Sequence, residues 1–396
     1  MSSSLLRPAL VLGLLSCVGP FAIDMYLPAM PAIGADLGAS VAGMQGTIMA
    51  YFVAFGLAQL VYGPWADQAG RKPPLYAGLG VFLIGTVICM LAPTAEILTA
   101  GRFVQGLGGA AVMVVPRAII RDMATGHQAT QLMAAIMLVI SVSPMLAPLA
   151  GSGVLAIADW RAIFGVLALA ALASLLMIRF ALSETLTAEN AQHFDLSATM
   201  SGAKRLLSDR TFMALTFLGG FGMASFFIFI ASGPFVYTQA FGLSPTGFSL
   251  AFAVNAIGFF ASSQLAAGLG QRFGASAVVR MATLGFLVMS GGLAVLGVAG
   301  LASLTVVIVG LFLANACLGL VIPTVMVLAL DDHGDVAGLA SSLGGTLQML
   351  VGGAMIAVAA PFFDGTAVPM LTTIAICAAL AFALSRLLVR RQAAAA

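Results

Sequence analysis

The sequence predicts an all-α integral membrane protein whose twelve transmembrane helices form two pseudo-symmetric six-helix bundles. Three observations carry this expectation. Hydrophobic residues make up 61% of the 396 and charged ones only 8%, with a mean hydropathy of +1.11, whereas about a quarter of a soluble chain is charged. Apolar runs recur from end to end, each long enough to cross roughly 30 Å of hydrocarbon. The few charges fall between these runs, and the basic ones gather in alternate breaks.

Breaking the chain at Gly, Pro and charge clusters gives twelve helices. The first six span 8–33, 41–65, 74–93, 96–116, 130–156 and 161–182; the second six span 211–236, 246–270, 275–298, 301–328, 336–362 and 366–388. With the N-terminus cytoplasmic, the inner segments collect Arg7, Arg71, Lys72, Arg117, Arg121, Arg179, Lys204, Arg205, Arg210, Arg272, Arg280, Arg386, Arg390 and Arg391. The outer loops hold only Arg161. That asymmetry is the positive-inside pattern, which a miscounted helix would scramble. Both termini are therefore expected in the cytoplasm, and the first apolar run reads as a retained span because it continues past any small-residue cleavage site.

The domain organisation follows. Residues 1–182 form an N-terminal bundle, 183–210 a polar cytoplasmic linker, and 211–396 a C-terminal bundle. The linker carries Glu184, Glu189, Asp195, Lys204, Arg205 and Arg210 with scattered Phe194, Leu196, Leu206 and Leu207, consistent with a short helix on the inner surface. A constant shift lays Tyr51 and Phe55 of the second span onto Asn255 and Phe259 of the eighth. Gly63–Gly70 aligns with Ala267–Gly274, and Ala129 with Ala337. Parallel six-helix repeats imply a transporter with its site between the halves.

Charge inside an apolar run is the exception, costing about 2.5–3.5 kcal/mol per group on insertion scales, and is a functional-site hypothesis by default. Asp24 lies in the first run and Arg102 in the fourth. Asp24 precedes Ile33 by about 14 Å of helix and Arg102 follows Glu96 by about 9 Å, so the two lie at comparable depth in the outer half of the membrane. A nearby guanidinium stabilises a carboxylate while desolvation opposes it, so the balance sets whether the acid loads a proton. Asp24 is expected to bind and release protons, with Arg102 tuning and orienting it.

Between spans two and three the chain reads Gly63-Pro-Trp-Ala-Asp67-Gln-Ala-Gly70-Arg71-Lys72-Pro-Pro. Gly63 suits close helix approach, Gly70 a turn at positive φ, and Asp67 a helix N-terminus or a basic group. This loop resembles the signature cytoplasmic loop of the major facilitator superfamily. The resemblance implies that the loop latches the two halves in the outward-facing state, with Asp67 contacting the start of the eleventh span and Arg121 as a partner. The second half keeps Arg272 and Gly274 but has Gln271 at the acid's place, so the latch is expected on one side only.

Leu98-Thr-Ala-Gly-Arg102-Phe-Val-Gln105-Gly106-Leu-Gly-Gly-Ala looks like the family motif whose arginine is implicated in proton transfer. In the fifth span, where drug/proton antiporters carry Gly-Pro-x-x-Gly-Gly, this chain has Pro144-Met-Leu-Ala-Pro148-Leu-Ala-Gly151. Those prolines and small residues permit a hinge. Ile23-Asp24-Met25-Tyr26-Leu27-Pro28-Ala29-Met30-Pro31, with this Pro-x-x-x-Pro form, is similar to the bicyclomycin/chloramphenicol-resistance branch of proton-coupled drug exporters. Some relatives carry a second acid earlier in the first span; here Ser16, Cys17 and Pro20 stand there, so a two-acid scheme is not available in that helix.

Tyr51/Phe55 and Asn255/Phe259 are i,i+4 neighbours that the repeat would set across a cavity. With Phe226, Phe227 and Phe229 of the seventh span, and Met25 and Met30 near the acid, they would make it apolar, aromatic and adaptable. The expected function is a proton-coupled exporter, a drug/H+ antiporter, of small lipophilic compounds in the inner membrane of a bacterium, working by alternating access. The alternative is a proton-coupled nutrient importer on the same fold.

Other chemistry finds little support. Lys72 and Lys204 are the only lysines and neither ends a Gly-x-x-x-x-Gly run, so nucleotide hydrolysis by a P-loop is excluded. Cys17, Cys89, Cys317 and Cys377 are scattered in apolar runs, and His127, His193 and His333 lie in polar connections without ligand spacing. No metal and no catalytic residue is expected, nor any cofactor beyond the proton gradient. The expected partners are a lipophilic substrate, protons and the bilayer, with no nucleic acid, the chain acting as a monomer.

Overall fold

A computed structural model of the chain describes residues 3–124, 126–186, 196–331 and 333–395, with helices and no strand among them. The stretch 187–195, with Glu189, His193, Phe194 and Asp195 of the linker, lies outside the described residues. So do the side chains of Arg7, His127, Ala129, Arg390 and Arg391. Twelve helical stretches, from Pro8–Asp36 to Val368–Arg386, are long and apolar enough to cross a membrane. The chain divides into two compact units, Met1–Asp195 and Leu196–Ala396.

In the first unit the helices are α1 (Ser3–Asp24), α2 (Met30–Asp36), α3 (Val41–Ala69), α4 (Lys72–Leu91), α5 (Ala95–Gly109), α6 (Ala111–Met123), α7 (Gly126–Leu155) and α8 (Arg161–Ala181). The first span therefore comprises α1 and α2, and the fourth α5 and α6. The second unit holds α9 (Leu196–Ser208), α10 (Arg210–Phe235), α11 (Pro245–Phe273), α12 (Ala275–Val298), α13 (Leu304–Asp331), α14 (Ala337–Ala359) and α15 (Val368–Ala395). The short α9, from the polar linker, packs on α10 and α14. A π-helical turn, Val236–Ala240, follows α10.

The internal repeat is a repeat of packing. In the first unit α5 lies between α3 and α4, α1 pairs with α7, and α4 pairs with α8. In the second α13 lies between α11 and α12, α10 pairs with α14, and α12 pairs with α15. Lipid offers no hydrophobic drive for helices to associate, so close backbone approach through small residues does the work. Gly106 of α5 abuts the Tyr51 backbone of α3, and Gly319 of α13 abuts the Phe259 backbone of α11. The shift that superposes Tyr51 on Asn255 also superposes two N-caps. Ser40 accepts from Gly43 N at 3.1 Å to start α3, and Ser244 accepts from Gly247 N at 3.1 Å to start α11.

Candidate functional site

The first span is not one continuous helix over 8–33. It stops at Asp24, passes through Met25 and Tyr26 into a 3-10 turn at Leu27–Ala29, and resumes at Met30. Proline explains the interruption. Pro28 has no N–H to give the Asp24 carbonyl, and Pro31 none for Leu27. The chain tightens instead, with Ala29 N donating to Tyr26 O at 3.1 Å. Such irregular backbone is tolerated at membrane depth only where protein or a water-filled cavity covers it, and Met25 to Met30 are all buried.

Asp24 is the last residue of α1 and is 4% exposed. Among the described residues no hydrogen bond or ion pair reaches its carboxyl. Gly151 of α7 packs against the Met25 backbone so closely that a Cβ there would collide with the carbonyl. The glycine of the fifth-span motif thus presses on the break in the first span. The hinge expected in the fifth span is not seen as an interruption, for α7 runs unbroken through Pro144 and Pro148. Neighbouring helices and side chains can satisfy the carbonyls that a proline frees in a membrane helix.

Arg102, fully buried on α5, does reach the first span, but not through Asp24. Its Nη1 donates to the Ala22 carbonyl in the last turn of α1 at 2.9 Å and to Gln105 Oε1 at 2.5 Å. Its charge therefore sits at the negative end of the α1 dipole, on the backbone two residues before the acid it was expected to tune. Tyr26 and Tyr51 flank the guanidinium, with its central carbon 4.7 and 4.5 Å from their ring centroids. Cation–π attraction of this kind is strongest where water is excluded. Gln105 is itself held, donating from Nε2 to Thr86 Oγ1 at 2.8 Å. Nε and Nη2 of Arg102 have no hydrogen-bond partner among the described residues.

At the other end of this unit the expected loop forms a charged cluster. Asp67 Oδ1 accepts from Arg71 at 2.6 Å and from Arg121 at 3.0 Å. Arg71, 2% exposed, also grips Asp122 with Nε at 2.6 Å and Nη2 at 3.0 Å. These carboxylates outweigh the burial that opposes its charge and hold Arg71 above the usual arginine range. Gly70 has φ +96° and sits against the Glu184 carboxyl, where a side chain would be both strained and obstructed. Glu184 accepts from the backbone of Arg71 at 2.8 Å, Lys72 at 3.1 Å, Thr185 at 2.9 Å and Leu186 at 3.0 Å. Partial burial pushes its carboxyl up, but these four donors prevail and hold it below the usual glutamate range. Lys72 Nζ reaches the Leu182 carbonyl at 2.9 Å instead of an acid.

Two assignments change here. Gly63 is not at a close approach, since a Cβ would find its nearest neighbour, Val114, at an ordinary 3.9 Å. Asp122 and Glu184 belong to the cluster although sequence reasoning left them out. The adjacency of Arg121 and Asp122 at the end of a span was the available signal for the first.

The residues expected to line a cavity lie in separate units. In the first, Tyr51 and Phe55 are stacked at 6.0 Å and 23°, and Tyr51 Oη donates to the Gly19 carbonyl at 3.4 Å. In the second, Phe229 stacks on Phe252 at 5.4 Å and 5°. Phe259 stacks on Phe226 at 5.9 Å and 21°. Asn255, fully buried, donates to the Ala251 carbonyl at 3.0 Å and accepts from Asn315 at 3.4 Å. No Asp, Glu, Lys or Arg is buried among the described residues of this unit. Among the described residues, no three His, Cys, Asp or Glu side chains come together as a metal site.

Comparison with known proteins bears on the architecture and the family. Residues 12–357 match the family model of the Major Facilitator Superfamily. An uncharacterized MFS-type transporter of Bacillus subtilis (strain 168), YdgK, is 32% identical over 364 residues, covering 91% of this chain and 90% of its own. A bicyclomycin resistance protein homolog of Haemophilus influenzae is 30% identical over 370 residues, covering 93% and 92%. The crystal structure of the nucleoside transporter NupG superposes with a TM-score of 0.75 at 13% identity, over 97% of this chain and 99% of that one. Sequence motifs, twelve spans, internal repeat and relatives agree: the chain is a membrane transporter belonging to the major facilitator superfamily.

Proposed function

We propose that this transporter is a drug/H+ antiporter, exporting small lipophilic compounds by alternating access at the expense of the proton gradient. The observation that carries the reading is Asp24, a buried carboxyl at the interruption of the first span with no ion-pair partner among the described residues. A carboxyl locked into a salt bridge must break it to exchange a proton, whereas one without a partner exchanges with whichever aqueous side reaches it. Discontinuous helices at membrane depth serve other secondary transporters as ion and substrate sites. Arg102, fixed on the Ala22 carbonyl, supplies a permanent positive charge nearby.

The cargo class rests on the aromatic side chains of each unit taken by itself. Stacked aromatics, Tyr51 on Phe55 and Phe226 on Phe259, and the lack of buried formal charge in the described second unit suit a lipophilic molecule with few hydrogen bonds. The bicyclomycin-resistance relative supports export of such compounds. The distribution of basic residues supports cytoplasmic termini, and the bacterial relatives support a bacterial inner membrane.

The test is Asp24→Asn in everted vesicles. The variant is expected to lose drug transport driven by a pH gradient while still binding drug. Undiminished gradient-driven transport would end the proposal, and accumulation of cargo by intact cells would select an importer. If the cargo is neutral, exchange for a proton moves net charge and responds to voltage, worth about 2.3 kcal/mol per charge per 100 mV.

A further inference from the structure

One set of side chains in the first unit, absent from the assignments above, connects the break beside Asp24 to the end of the bundle opposite the Asp67 cluster. Asp36, the last residue of α2, accepts from Trp160 Nε1 at 3.0 Å and from Arg161 Nη1 at 3.0 Å. Arg161 also holds Asp159 at 3.1 Å and the Ala92 carbonyl, at the end of α4, at 3.4 Å. Its guanidinium lies 4.1 Å from the Trp160 ring. The polar half of this clasp faces water, with Arg161 37% and Asp36 48% exposed. Its apolar half is buried, and it points inward. Trp160 meets Phe164 edge-on at 6.0 Å, Phe164 meets Tyr26 at 6.0 Å, and Tyr26 lies over Arg102. Tyr26 Oη is further fixed to Thr47 at 2.8 Å.

We propose that the clasp of Asp36, Trp160 and Arg161, acting through Phe164, positions the Met25–Ala29 break and thereby sets how Asp24 exchanges protons. The physical reason is the shortness of α2. A seven-residue helix is too short to hold itself against α3 and α8, and the break leaves it without continuous hydrogen bonding to α1. Something must anchor its far end, and the clasp does so with an ion pair and a tryptophan donor sharing one carboxylate. The Phe164 ring passes that anchor to Tyr26, the residue in the break that covers the buried cation. Of the ionisable side chains, Tyr51 of α3 interacts with Asp24; Tyr26 in the break, Tyr51 and Cys89 of α4 surround Arg102 of α5, while α7 contributes the Gly151 backbone against Met25. Because Arg102 lies against both the Tyr26 and Tyr51 rings and Tyr51 interacts with Asp24, moving Tyr26 changes the surroundings of the acid without touching it. Trp160 and Phe164 are positioning residues in this scheme, and Arg161 is the basic residue that the sequence places alone on the outer side.

The inference rests on the proton reading of Asp24, so its test has two independent readouts. The first is drug transport as a function of the pH on the clasp side, for Phe164→Leu, Phe164→Tyr and Trp160→Phe. Phe164→Leu is expected to shift the half-maximal pH by about half a unit or more, and Trp160→Phe to shift it in the same direction. Phe164→Tyr, which keeps the ring, restores the wild-type profile. The second is amide hydrogen exchange of residues 25–36 in the purified protein, expected to be several-fold faster in Trp160→Phe and Phe164→Leu. Variants that lower transport equally at every pH, or leave exchange of 25–36 unchanged, overturn the inference. Gradient-driven transport surviving in Asp24→Asn, with faster exchange in the clasp variants, would instead remove the proton reading and leave the clasp as the anchor of the break.

Discussion

Arg102 donates to the backbone carbonyl of Ala22 at 2.9 Å and makes no ion pair with Asp24, two residues further along the same chain. Buried acid and buried base thus share a neighbourhood without neutralising one another. An ion pair would tie the proton state of Asp24 to breaking a strong contact. A guanidinium pinned on a helix end keeps its place whether or not the acid is charged.

Arg102→Lys follows from that geometry. Lysine keeps the charge but lacks the planar guanidinium that lies between two tyrosine rings while its Nη1 serves both Ala22 and Gln105. Losing a buried charged hydrogen bond costs about 1.5–3 kcal/mol. Gradient-driven transport is expected to fall roughly ten- to a hundred-fold, with membrane levels of the protein retained. Vesicle assays normalised to protein amount check this, and wild-type transport by the lysine variant would refute it.

Gly151 offers a contrast with a near neighbour. A Cβ at Gly151 meets the Met25 backbone, which has no flexible end to give way, whereas nothing lies within 4 Å of a Cβ at Gly153. Gly151→Val is expected to lower thermal stability in detergent by an overpacking cost of about 1–3 kcal/mol and to abolish transport. Gly153→Ala is expected to be silent or slightly stabilising, since alanine favours helix over glycine by about 1 kcal/mol. Equal thermal shifts for the two would show that Gly151 is no tight crossing.

Much of this fold is legible in the sequence because membrane insertion imposes a coarse rule, about twenty apolar residues per crossing. The expected span 275–298 coincides with Ala275–Val298, and 161–182 differs from Arg161–Ala181 by one residue. The break after Asp24 was written there too, as Pro28 and Pro31, but hydropathy is blind to it: a 3-10 turn of Leu, Pro and Ala is as apolar as a helix. The partners of Arg102 were less accessible still. A carbonyl acceptor carries no side-chain signal, and Tyr26 or Phe164 reads as packing until the rings are seen in series. Gly63 shows the reverse error, a motif glycine credited with a close approach that its neighbours do not make.

Glu184 gives a pH-dependent expectation. Its carboxyl is held below the usual range by four backbone donors against the opposing pull of burial. A depressed acid contributes stability that is fully present above its unfolded value, near 4.3, and that is lost as pH falls through the lower folded value. Wild-type protein should therefore unfold at a higher temperature than Glu184→Gln at pH 7, the gap narrowing below about pH 4. A gap that persists unchanged in acid would mean that the carboxylate charge is not what those amides recognise.

The charged cluster makes a final prediction, in which the motif's acid is the weaker partner. Asp67 is 30% exposed and shared with Arg121, itself 63% exposed, where water and salt screen the interaction to about 1 kcal/mol or less. Asp122 is 12% exposed and takes two donors from Arg71, which is 2% exposed. Removing Asp122 leaves a buried guanidinium with one carboxylate, and breaking such a pair costs about 3–5 kcal/mol. Asp122→Ala should therefore destabilise the protein in detergent more than Asp67→Asn does, and the order should survive high salt because the Asp122 pair is shielded from it. If Asp67→Asn proves the more destabilising in both low and high salt, Arg71 is held in place by the exposed acid and the packing argument fails.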